Sequence, residues 1–79
     1  MEKIKVKISD LKLEIISFDN ILEKNSIPAK CLEIYNHTLI HSENPVKIGW
    51  HIEAGWFVLE YCSDITQLIY SEKDVEIES

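Results

Sequence analysis

Glu33, His37 and His41 recur at intervals of four. On a helix that spacing stacks one carboxylate and two imidazoles along a single stripe, where they could converge on a metal ion, with Cys31 or His51 as a further ligand. Thr38, Leu39 and Ile40 separate the two histidines, and no glutamate directly follows the first, so the metalloprotease pattern is absent. The stripe therefore reads first as a solvated helix face, and a metal-stabilised protein is the alternative. Nucleophilic chemistry would fall to Cys31 or Cys62, because a thiolate beside a base is the attacking species. No histidine neighbours Cys62 in sequence, and both cysteines are expected to be free, largely buried thiols. Gly49 and Gly55 stand alone, so no glycine-rich loop cradles a phosphate. No catalytic residue, cofactor or resident metal is assigned.

A second group of residues suits recognition. Folding Val46 to Cys62 about a two-residue turn at Ala54-Gly55 sets Ile52 opposite Phe57, Trp50 opposite Leu59 and Ile48 opposite Tyr61. Trp50 is then core. The reverse face carries Glu53, Trp56 and Glu60 with His51, Val58 and Cys62. A rigid indole among carboxylates suits capture of a lysine- or arginine-bearing surface; a helix laid over that face would instead make Trp56 core. At the end of the chain Glu72, Asp74, Glu76 and Glu78 alternate, and on a strand they would form a row spaced roughly 6.6 Å apart, close in scale to successive phosphates. The plain reading of that row is a solvated end that resists aggregation.

Elements must position these groups. A turn at Ser9-Asp10 would pair Ile8 with Leu11, Val6 with Leu13 and Ile4 with Ile15, although Leu11, Ile15, Phe18 and Leu22 also suit a helix from about Asp10. Ser17 can cap a short helix ending near Asn25. Ser26-Ile27-Pro28 opens a second helix, with Ala29, Leu32, Tyr35 or Asn36, Leu39 and Ile40 as its buried stripe, and Asn44-Pro45 ends it. Ile65 to Tyr70 fits either strand or helix, and Val75 and Ile77, alternating with Glu76 and Glu78, form a short final strand. The expected architecture is a single α+β domain over residues 1–79: an antiparallel sheet of about four or five strands, comprising an N-terminal hairpin, the central hairpin and a C-terminal edge strand, packed by one main helix and a short one.

Composition bounds the function. A 79-residue chain buries only about 60% of its unfolded surface, so its stability is expected to be modest. The net charge is −6 and arginine is absent, which disfavours direct nucleic-acid binding. Residues 1–30 carry six lysines against five acids, whereas residues 31–79 carry two against nine. No apolar run is long enough to span a bilayer, and the alternating Lys3-Ile4-Lys5-Val6-Lys7 start is unlike a signal peptide, so a cytoplasmic protein is expected. In size and acidity the chain resembles the anti-CRISPR proteins, a likeness of composition with no motif, and it transfers no residue. The function expected is a small acidic binding module, an inhibitor, antitoxin-like partner or adaptor. Its partner would be a protein with a basic surface, a nucleic-acid-binding enzyme among the candidates, met by Glu53, Trp56, Glu60, Asp74, Glu76 and Glu78. A homodimer meeting through Trp56 and Val58 is the structural alternative.

Overall fold

The computed structural model describes residues 3–16 and 27–78. Elements follow in the order β1 (Ile4–Lys7), α1 (Ile8–Leu13), β2 (Ile15–Ile16), α2 (Ala29–His41), β3 (Val46–His51), β4 (Gly55–Cys62), β5 (Ile65–Ser71) and β6 (Val75–Glu78). β2, β3, β4 and β5 form an antiparallel sheet in that spatial order, while β1 and β6 pair parallel in a separate two-stranded sheet. The α+β class agrees with expectation. The strand arrangement differs.

The central sheet is covered on both faces, which explains why β4 is apolar on both sides from Trp56 to Leu59. Phe57 and Leu59 point to one face, where Val6, Leu11 and Ala54 complete a buried cluster and Ile8, Ile15, Leu68 and Val75 pack around it. Ile48, Val46 and Val58 point to the other, buried with Ile27 and Cys31 under α2 and flanked by Leu32, Tyr35, Trp56 and Tyr70. Two small cores share one sheet.

The N-terminal hairpin does not form. Ile8 to Leu13 coil into a short helix, and this turns Leu11 wholly inward onto Phe57 and Leu59. β1 is thereby left to pair with β6, Ile4 beside Val75 and Val6 beside Ile77, so the final strand does not edge the main sheet. Leu11 offers more burial from a helix than from a strand lying beside Ile8, and burial outweighs the weak β preference of so short a run.

The main helix matches, with its first hydrogen bond from the Leu32 N–H to the Pro28 carbonyl and its last turn closed by the Ser42 N–H on the Thr38 carbonyl. Pro28 sits just outside the first turn, in extended conformation. The buried stripe shifts toward Cys31, Leu32 and Tyr35, and the expected core residues Leu39 and Ile40 lie exposed, Ile40 at 76%. Ile65 to Tyr70 resolves to a strand. Ser63, at a positive φ of 48°, makes the two-residue turn from β4, and Ile69 is an extra residue in the β5 ladder, since Val58 opposes Tyr70 and Leu59 opposes Leu68. The short helix expected after Ser17 lies outside the described residues. No helix among the described residues is long and apolar enough to cross a membrane.

Candidate functional site

The central hairpin decides what the surface offers, and its register departs from the one expected. The loop holds three residues, Ile52, Glu53 and Ala54, so His51 pairs with Gly55, Trp50 with Trp56, Gly49 with Phe57 and Ile48 with Val58. Gly55 closes the loop at a φ of +71°, a backbone state that glycine adopts without strain. Gly49 lies under the Phe57 ring: a Cβ there would stand 2.5 Å from both the ring tip and the Glu14 carbonyl oxygen. These two glycines lock the register in place. The slip of an odd number of residues exchanges faces along one strand relative to the other.

As a consequence both indoles share the α2 face at the tip of the hairpin. Trp56 is half-buried against the cluster beneath α2, and Trp50, expected in the core, is 44% exposed. Ile52 at the turn is 68% exposed, and Glu53 beside it is exposed too. The tip is held firmly from behind by the segment linking β5 to β6. The Glu72 N–H donates to the Trp56 carbonyl at 2.8 Å, and the Trp56 N–H donates back to Glu72 Oε1 at 3.1 Å. The Lys73 N–H bonds the Ala54 carbonyl at 2.9 Å and its Nζ the Ile52 carbonyl at 3.2 Å. On the open side the Glu53 N–H donates to His51 Nδ1 at 3.0 Å. The result is a pre-shaped apolar and acidic knob.

Glu60 does not join that knob. It lies four residues along β4, about 13 Å away at the usual rise, and its carboxylate accepts from the Ser42 hydroxyl and, at 3.3 Å, from Asn44 Nδ2. Those hydrogen bonds, Ser42 first, hold its pKa below the usual carboxylate value. Asn44 also donates to Cys62 Sγ at 3.4 Å and through its backbone N–H to Ser42 Oγ at 3.1 Å. Glu60 thus fastens the connection between α2 and β3.

The C-terminal acids form no free row either. Asp74 pairs with Lys3 at 3.4 Å, and the parallel register sets Glu76 beside Lys5 and Glu78 beside Lys7. The lysine-rich start and the acid-rich end of the chain meet in one layer. Of the six residues expected at a partner surface, Glu53 and Trp56 come together; Glu60, Asp74, Glu76 and Glu78 have neighbours of their own. Trp50 and Ile52 are the additions. Their signal in the sequence was a glycine at the last position of the turn, which fits a three-residue loop as readily as a two-residue one.

The other candidates are placed as follows. His37 and His41 lie side by side on the exposed face of α2, their rings tilted by 44° with centroids 4.4 Å apart, yet among the described residues no three His, Cys, Asp or Glu side chains gather as a metal site. Cys31 and Cys62 are free. Burial, with a smaller contribution from the Glu72 carboxylate, raises the Cys31 pKa to about 11, and burial followed by the Glu60 carboxylate raises that of Cys62. Neither is an activated thiolate at neutral pH. Comparison with known proteins returns no match: no family model fits the chain, and no curated protein or solved structure is similar to it.

Proposed function

We propose that this protein is a small binding module that docks the tip of its central hairpin onto a basic, partly apolar surface of another protein, acting as an inhibitor, antitoxin-like partner or adaptor and carrying out no chemistry itself. The observation that carries this reading is the exposed Trp50 beside Trp56 and Ile52 on a turn fixed by Glu72 and Lys73. Large aromatic anchors supply most of the energy of protein interfaces, and a turn already ordered loses little entropy on docking. Charge supports the same partner chemistry. Residues 27–73 hold Lys30, Lys47 and Lys73 against twice as many acids, whereas the lysines of β1 lie alongside the acids of β6.

Partners captured from the native host by the intact protein should be lost to Trp50→Ala and weakened by Glu53→Lys, while Glu78→Lys retains them. Both tip variants should keep the unfolding free energy of the parent within about 1 kcal/mol, as expected for surface positions. Equal capture by the parent and Trp50→Ala would end this reading.

A further inference from the structure

His41 is the last residue of α2 and His37 lies one turn before it, both exposed. Side chains four apart on a helix lie one above the other. Here the two rings have already met, with centroids 4.4 Å apart and planes tilted by 44°. Two imidazoles that ligate one ion through nitrogens at ~2.0 to 2.1 Å hold their centroids about 4.5 to 5 Å apart. The pair therefore stands within a small side-chain rotation of a chelating geometry.

The surroundings favour a cation. A helix carries partial negative charge on its last turn, where His41 sits. No lysine occurs between Lys30 and Lys47, and that stretch holds the exposed acids Glu33 and Glu43. The thiols do not compete: Cys31 is buried, and burial together with the Glu60 carboxylate keeps Cys62 protonated at neutral pH. The pair lies at the end of the hairpin away from its turn, since Ser42, the residue after His41, donates to Glu60, which pairs with Val46 at the start of β3. It is separate from the Trp50 tip and does not rest on docking there.

We propose that His37 and His41 bind a divalent first-row transition cation, zinc or nickel, as a two-imidazole chelate on the open face of α2. Among the described residues no third protein ligand gathers there, so the ion's remaining positions are left to solvent. Structural zinc takes four protein ligands; two make an exchangeable site, loaded only when the free ion is abundant. An ion held this way ties one turn of the helix together. It should therefore steady the end of α2, where the Ser42 N–H bonds the Thr38 carbonyl at 2.8 Å.

Zinc titration of the full chain without a histidine tag, followed through its imidazole and amide resonances, tests the site. The ring signals of His37 and His41 should shift together and saturate, while those of His51 stay in place, and saturating zinc should slow hydrogen exchange at the Ser42 amide at least several-fold. His37→Gln and His41→Gln, both at exposed positions, should keep the parent's circular dichroism spectrum, bind zinc at least about tenfold more weakly and lose the effect at Ser42. Glu33→Gln should bind within about twofold of the parent. Nickel should reproduce the response and calcium, which takes oxygen ligands, should not, and this separates imidazole ligation from attraction of any dication to the acids. No saturation up to about 1 mM zinc, undiminished binding in either histidine variant, a loss as large in Glu33→Gln, or an equal response to calcium overturns the proposal.

Discussion

Two residues carry more of this structure than their size suggests. Gly49 leaves the space in which Phe57 lies, between two layers that have no slack, so adding one methyl must push the ring or the β2 strand aside. Overpacking of this kind costs about 1 to 3 kcal/mol. Gly49→Ala should lower stability in urea by that amount; an unchanged midpoint would show that the ring has room to move. Glu60 is the second. Its carboxylate is held below the ordinary value of 4.5 by Ser42 and Asn44, so the folded chain binds this proton less readily than the unfolded one. The stabilisation it gives is present above the unfolded value and disappears as pH falls through the lower folded one. The stability gap between the parent and Glu60→Gln should be full at neutral pH and shrink on acidification. A gap that persists unchanged well below the carboxylate range would mean that the side chain acts by shape alone.

Among the elements, those whose pattern admitted one period were legible in the sequence, and those that admitted two were not. α2 was found because Pro28 and Pro45 bracket a helix-compatible run, and β3 and β4 because both are dense in apolar and β-branched residues. The hairpin register was missed since alternation fixes which residues share a face of one strand, and the loop length fixes how two strands meet. The tip is also held by the side chain of Glu72, which fills the space beside Gly55 from a distant part of the sequence. The same remoteness hid the exposure of Trp50, which reads as core only in the two-residue-turn register. Glu72→Ala tests this hold on the tip directly. It removes the acceptor of the Trp56 N–H, and the Trp56 amide should exchange hydrogen at least several-fold faster while those of Ile48 and Val58 stay protected. Uniform acceleration across β3 and β4 would instead mark Glu72 as a support of the whole sheet.

At the scale of the whole molecule, the terminal strands bring together charges that the sequence keeps far apart. Read linearly, the chain has a basic start and an acidic end; folded, Lys3, Lys5 and Lys7 stand beside Asp74, Glu76 and Glu78, and Lys12 lies over the Tyr61 ring at 5.7 Å. Exposed acids without a lysine as strand neighbour, Glu33, Glu43, Glu53 and Asp64 among them, lie on α2 and on the loops that follow it and border β4, whereas Asp74, Glu76 and Glu78 of the terminal row stand beside lysines. Rim charges act chiefly on the rate of encounter. Glu53→Lys should slow association with a basic partner several-fold at low salt, and the deficit should close as the Debye length falls below the span of the tip. Glu76→Lys should leave the rate nearly unchanged, because the charge it alters lies beside Lys5 in the other layer. If the two reversals slow association equally, the field is that of total charge and the arrangement of layers has no part in steering.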